Sequence, residues 1–98
     1  MKKNKKAILM NIKDNVAIAL TNISSEDSVK IIYGNKTIKT VIAINDIEIY
    51  HKIALKSIHR NETIFKYGEI IGKAQKEINI GEHVHVHNIE GILTINEN

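Results

Sequence analysis

Three of the five histidines stand two residues apart, at His83, His85 and His87, in the stretch Gly81-Glu82-His83-Val84-His85-Val86-His87-Asn88. In an extended strand successive side chains alternate faces, so the three imidazoles share one face and Val84 and Val86 the other. The valine face can enter a core; the imidazole face suits a polar site. Neutral imidazole is the commonest metal ligand among side chains and titrates near physiological pH. Residues two apart in a strand have Cα atoms about 6.5 Å apart. Two rings at that spacing can converge on one ion through bonds of about 2.0–2.1 Å. A third ring cannot join unless the strand bends. The expected metal pair is therefore His85 with His87, with the remaining ligands supplied from elsewhere in the chain, by a substrate or by another subunit. The competing reading is a strand with a solvated histidine face.

A second candidate is His51, followed by Lys52. His51 either faces the same cleft, binding substrate or metal, or packs at a strand start with its ring bonded to backbone. Lys52 can hold a carboxylate as a point charge or stand in solvent. Asn88 orients a ligand by hydrogen bonding or caps a strand. Asp14 is a further candidate, as a metal ligand or an acceptor for a substrate hydroxyl, and Asp14-Asn15 also reads as a turn. His59 reads as a surface residue, and Tyr67-Gly68-Glu69 as a structural bend.

These residues sit on short extended segments. Ala7 to Ile12, Val16 to Leu20, Val29 to Tyr33 and Thr37 to Ile44 read as strands, with Gly34-Asn35 suited to a tight hairpin. His51 to Leu55, Thr63 to Lys66, Ile70 to Ala74, Val84 to Ile89 and Ile92 to Ile95 follow, the last two flanking a turn at Glu90-Gly91. Twenty-one residues are isoleucine, whose branched side chain packs well on a pleated sheet. No long helix is expected. The fold class is all-β, a compact barrel-like or clip-like arrangement of seven to nine strands. No internal repeat is evident. Ninety-eight residues suffice for one small domain. Residues 7–95 are read as that domain, 1–6 as a basic tail and 96–98 as a frayed end.

The net charge of +3 comes from the N-terminal run. Without Lys2, Lys3, Lys5 and Lys6, ten basic and eleven acidic residues nearly cancel. A folded body without a basic face, carrying only four aromatics, argues against nucleic-acid binding. There is no cysteine, which excludes disulfides and thiolate metal sites. No apolar run is long enough to cross a bilayer, and no signal-peptide pattern precedes the first strand. A cytoplasmic location without membrane attachment is expected by default.

Four segments, Asp14-Asn-Val-Ala-Ile-Ala-Leu20, His51-Lys-Ile-Ala-Leu55, Lys66-Tyr-Gly-Glu-Ile-Ile-Gly72 and Gly81-Glu-His-Val-His-Val-His-Asn88, occur in an order and spacing that resemble the small N-terminal domain of the altronate dehydratase family. That family includes altronate and galactarate dehydratases and sulfolactate sulfo-lyases. The resemblance covers Ile8 to Asn88. It implies a SAF domain with a β-clip fold. It also implies a small subunit completed by a large catalytic lyase subunit, a sugar-acid or sulfo-acid substrate, and a divalent ion, Fe2+ or Mn2+. His51, Lys52 and Asn88 would bind substrate, and His85 and His87 the metal. Exposed apolar surface on the lone chain would point to self-association into a homo-oligomer in place of the missing partner. The alternative is a free-standing carbohydrate- or metal-binding module without catalysis. The chain departs from the family pattern at Tyr50, where a glycine is usual before His-Lys, and at Asn61, where glycine is also common. His83 stands where an aromatic is frequent, and so reads as a surface or packing residue.

Overall fold

A computed structural model of the chain describes residues 4–91. The basic Met1–Lys3 segment, the expected strand at 92–95 and the expected frayed end at 96–98 lie outside the described residues. Nine strands run in chain order: β1 (Asn4–Ile8), β2 (Val16–Ala19), β3 (Ser28–Tyr33), β4 (Lys36–Ile42), β5 (Lys52–Ala54), β6 (Thr63–Lys66), β7 (Glu69–Ala74), β8 (His83–Val84) and β9 (Ile89–Gly91). There is no helix among the described residues. The all-β class is as expected.

The strands form a six-stranded sheet in the order β4-β3-β1-β2-β5-β8 and a three-stranded sheet in the order β6-β7-β9. All pairs are antiparallel except β1 with β3. One apolar cluster, centred on Ile23, Ile31, Ile47 and Ile53, packs under the large sheet. A second, with Val16, Ile58, Ile64, Ile78 and Val84, joins the sheets. β1 begins at Asn4, so part of the basic run is strand rather than tail. Lys5 is held there by an ion pair with Asp27 at 3.0 Å and by donating to the Asn22 carbonyl at 2.7 Å.

The structure reveals a repeat that the sequence reading missed. Four segments share the pattern Ala, three residues, Ile, two residues, a turn residue, a polar residue, any residue, then Val or Ile. They start at Ala19, Ala43, Ala54 and Ala74. Their turn residues, Glu26, Tyr50, Asn61 and Gly81, all have positive φ, between 73° and 87°. The polar residues that follow, Asp27, His51, Glu62 and Glu82, each close the turn by donating the backbone N–H to a carbonyl three residues back, at 3.0 Å. This is the geometry of a β-turn whose third residue must be left-handed. Ala43 exchanges backbone hydrogen bonds with Glu26 and Asp27, and Ala19 with Tyr50 and His51. Ala74 pairs likewise with Asn61 and Glu62, and Ala54 with Gly81 and Glu82. The repeats thus interlock two by two, and the bridges Ile23–Ile47 and Ile58–Ile78 mark the two centres. Alanine is required because all four sites are buried and a backbone must approach them. The starts are 24, 11 and 20 residues apart, which hides the repeat from any search for a fixed period.

Candidate functional site

The repeat explains why His51 is free to act. In three of the four turns the polar residue is a carboxylate that caps the turn's first N–H. Asp27 accepts from Ser24 at 2.8 Å, Glu62 from His59 at 2.7 Å and Glu82 from Asn79 at 2.9 Å. At the fourth position stands His51. Its ring turns to other side chains: Nδ1 lies 2.9 Å from His83 Nε2, and Nε2 lies 3.4 Å from the Glu48 carboxylate. A position that serves local folding elsewhere has been given to an imidazole.

His83 arrives from the far end of the chain. β8 pairs with β5 so that His83 lies opposite Ile53, and the His83 N–H donates to the Asn45 side chain at 2.9 Å. The strand expected over Val84 to Ile89 ends at Val84; residues 85–88 form a turn instead. Asn88, fully buried, causes this. Its side-chain oxygen accepts the His85 N–H at 2.9 Å, its amide donates to the His83 carbonyl at 2.8 Å, and its own N–H donates to the His85 carbonyl at 3.0 Å. A side chain that satisfies the backbone in this way competes with the strand ladder and wins.

The bend brings three rings together. His51 and His85 stack with centroids 4.0 Å apart, His51 and His83 with centroids 5.1 Å apart, both pairs within 14° of parallel. One ring nitrogen from each of His51, His83 and His85 lies within 4.8 Å of the others. His87 sits outside this group, exposed in the turn, its ring 5.0 Å from that of His83 and tilted by 39°. Sequence reasoning set His83 aside as a surface or packing residue. The signal that could have found it is the repeat, where His83 is the counterpart of Lys52, each following the polar turn residue.

Burial, reinforced by His87, His51, His85 and Lys52, pushes the His83 pKa down to about 4. His85 is lowered by the same kinds of cause, burial first and then His51 and Lys52. Both are therefore neutral at pH 7. The buried Nδ1 of His85 has no hydrogen-bond partner. Lys52 is half-buried on β5 and makes no ion pair among the described residues; burial, then the nearby Lys66, lowers its pKa. His51 and His83 open onto a cleft of about 510 Å³ that is also lined by Asn22, Ser24, Asp46 and Glu48.

Asp14 is not brought to this cluster. Its buried carboxylate accepts the Tyr67 N–H at 2.8 Å and the Gly68 N–H at 2.7 Å. Asn15 beside it donates to the Thr63 carbonyl and accepts from Phe65. Both residues tie the β1–β2 connection to the β6–β7 hairpin. His59 stands apart on the surface, 3.0 Å from Glu77.

Residues 5–91 match the model of the altronate/galactarate dehydratase SAF domain. The chain belongs to that family. It is 42% identical over 90 residues to an altronate dehydratase of Bacillus subtilis (strain 168), covering 92% of this chain and 17% of that protein. It is 37% identical over 81 residues to an altronate dehydratase of Escherichia coli (strain K12), covering 83% of this chain and 15% of the relative. It is also 49% identical over 43 residues to a (2R)-sulfolactate sulfo-lyase subunit alpha of Paracoccus pantotrophus, covering 44% of this chain and 64% of that subunit. This SAF domain thus spans a small part of the dehydratases it matches and under two thirds of the sulfo-lyase subunit. No helix among its described residues is long and apolar enough to cross a membrane.

Proposed function

We propose that this SAF chain is the small, substrate-facing part of a hydro-lyase acting on a sugar acid or related 2-hydroxy acid, completed by a large catalytic subunit. The observation that carries the reading is the place of half-buried Lys52, which makes no ion pair among the described residues: it follows His51 and opens β5, the strand that pairs with β8 and its His83. A half-buried lysine with no counter-ion among the described residues suits an anion from outside the fold, and a substrate carboxylate supplies one. Neutral imidazoles beside it can accept from hydroxyls, or donate to them, according to tautomer. The family relatives, carrying this domain either in a long dehydratase or in a named subunit alpha, support completion by a larger partner.

In the reaction, a base takes the proton from C2 of the substrate. The C3 substituent leaves, as hydroxide that takes up a proton to become water or, from a 3-sulfo acid, as sulfite, and the resulting enol rearranges to a 2-keto acid. Lys52 would hold the carboxylate and screen the charge that grows on it as the proton leaves. The cluster at His51, His83 and His85 would orient the 2-hydroxyl, with Asn88 acting through the turn that places two of these rings. A divalent ion, Fe2+ or Mn2+, when bound, supplies Lewis-acid stabilisation of the charged transition state. The residues fit such an ion: the donors are imidazole nitrogens, and one buried ring nitrogen lacks a partner among the described residues. A base and the rest of the cleft are assigned to the large subunit, and a cytoplasmic location goes with this reading.

The test is co-purification from the organism that carries the gene, using the tagged full chain, followed by assay of the isolated complex with aldonates and sulfolactate. The expected result is a stoichiometric large subunit and 2-keto acid formation by the complex but not by this chain alone. A homogeneous chain with no such partner would transfer the reading to a free-standing binding module.

A further inference from the structure

We propose that His51, His83 and His85 form a three-imidazole site for a borderline divalent ion such as Fe2+, Co2+ or Zn2+, assembled within this chain, with Glu48 orienting His51. The inference rests on and deepens the reading above by assigning the ligands and the class of ion. It replaces the His85–His87 pair that a straight strand would offer.

Geometry carries it first. His51 Nδ1 and His83 Nε2 are 2.9 Å apart, the separation of two ligand atoms about 90° apart around an ion with bonds of about 2.0–2.1 Å. One nitrogen of each of the three rings, that of His85 included, lies within 4.8 Å of the others. Small side-chain rotations bring such a set to the roughly 3.3 Å spacing of a tetrahedral site. These rings come from a turn after Tyr50, from β8 and from the 85–88 turn, so the fold has already met the cost of bringing them together.

The surroundings agree. A metal-bound imidazole usually gives its other ring N–H to a carboxylate, which settles the tautomer. Glu48 stands at that place, 3.4 Å from His51 Nε2. With the proton on Nε2, His51 Nδ1 presents its lone pair toward His83. In that tautomer His83 Nε2–H would donate to the lone pair in the free chain; on ligation the proton would move to Nδ1 of the same ring, and charge and protons balance. Ligation through His85 Nδ1 would give a partner to a buried nitrogen that has none, a group otherwise costly to leave unsatisfied. The turn repeat adds an independent argument. Asp27, Glu62 and Glu82 cap their turns, whereas the His51 ring joins the cluster.

The donor set also selects the ion. Imidazole suits iron, cobalt and zinc, whereas manganese and magnesium favour carboxylate, carbonyl and water oxygens. Between the two ions suggested by the family resemblance, an all-nitrogen set favours Fe2+ over Mn2+.

The experiment uses the purified full chain stripped with a chelator. Zn2+ and Mn2+ are titrated calorimetrically, and Co2+ by its visible ligand-field absorption. One Zn2+ or Co2+ per chain is expected, with Mn2+ weaker by about tenfold or more. His51→Ala, His83→Ala and His85→Ala should each weaken Zn2+ binding by about tenfold or more, and His59→Ala should leave it unchanged. Because a variant can fail to fold, ring-nitrogen NMR of the unsubstituted chain provides the second measurement. Zn2+ should shift His51, His83 and His85 and leave His59 in place. A folded chain that takes up neither Zn2+ nor Co2+ overturns the proposal, as do coordination shifts at His87 in place of His83. Metal uptake by a chain that captures no large subunit would sink the lyase reading and leave this one standing. A partner captured by a chain that binds no metal does the reverse.

Discussion

Nδ1 of His51 lies 2.9 Å from Nε2 of His83, although 32 residues separate the two. The contact exists because β8 pairs with β5 in one register, with His83 opposite Ile53. A slip of one residue would turn Val84 outward and His83 into the core. Val84 and Ile53 are both fully buried, so the apolar cores hold the register that the histidine cluster needs.

The depressed His83 pKa makes acid sensitivity a direct consequence. In the metal-free folded chain His83 stays neutral down to about pH 4, whereas in the unfolded chain it takes a proton at about 6.5. Between these values the unfolded state binds more protons, so stability falls as the pH drops from about 6.5 toward 4 and is unaffected by this group above that window. NMR titration should place the His83 midpoint near 4, with thermal melts falling over the same range. A midpoint near 6.5 would contradict the burial of the ring. His59 acts in the opposite sense: Glu77 raises its pKa, so its contribution is present in acid and is lost as pH rises through the raised value. Full exposure keeps that contribution weak.

Returning His51 to the type found in the sister turns separates function from folding. His51→Asp should provide the cap that Asp27 gives Ser24 and stabilise the chain by about 0.5–1 kcal/mol, the scale of a capping hydrogen bond. The same change should weaken Zn2+ binding by about tenfold or more, because the new carboxylate is taken up by the turn. Denaturant unfolding and calorimetry read the two effects, and a stability loss of similar size would refute the equivalence of the turns.

Tyr50 occupies a turn position with φ of 73° while its side chain is 70% exposed. A bulky residue is strained there by about 1–2 kcal/mol, and the exposed ring recovers little of that through packing. Tyr50→Gly should therefore stabilise the chain by about 0.5–1 kcal/mol after the entropic cost of glycine. Gly81, at the equivalent position, should behave oppositely. A Cβ there would lie 2.1 Å from the Ile42 carbonyl oxygen, so Gly81→Ala should destabilise by about 2 kcal/mol or more. Urea melts of the two variants check both signs.

Asn88→Ala removes two side-chain hydrogen bonds and leaves the His85 N–H and His83 carbonyl without them. Unfolding free energy should fall by about 2–4 kcal/mol, and Zn2+ affinity should fall with it because the bend that unites His83 and His85 is released. Affinity that survives intact in a folded Asn88→Ala chain would show that the turn does not position the rings.

Asp14→Ala should behave as a purely structural change. Two backbone N–H groups, of Tyr67 and Gly68, lose a charged acceptor, at a cost of about 2–4 kcal/mol. Metal affinity, measured where the variant is still folded, should not change.

Much of the fold was legible from side-chain chemistry alone. Alternating isoleucines at Ile38 to Ile44, the Gly34-Asn35 turn and the absence of any helical period led to an all-β chain, and four ordered segments led to the SAF family. Those signals are local: pleat periodicity and turn residues act over a few positions. The importance of His51 and His85 could be suspected in the same way, from residue type and neighbours.

What the chain alone did not disclose is which imidazoles meet. Spacing favours His85 with His87 on an extended strand; the folded chain unites His51, His83 and His85. The decision rests with Asn88, whose side chain bonds the backbone on both sides of Val84 and stops the strand, and with the β5–β8 register, held by buried Ile53 and Val84. The four turns were likewise hidden, because they share only a few residue types at irregular intervals and are equivalent through backbone hydrogen bonds. Sequence determined the class of structure and the kinds of donor available. Tertiary packing decided the company each donor keeps, because long-range register and a single buried amide outweigh local periodicity.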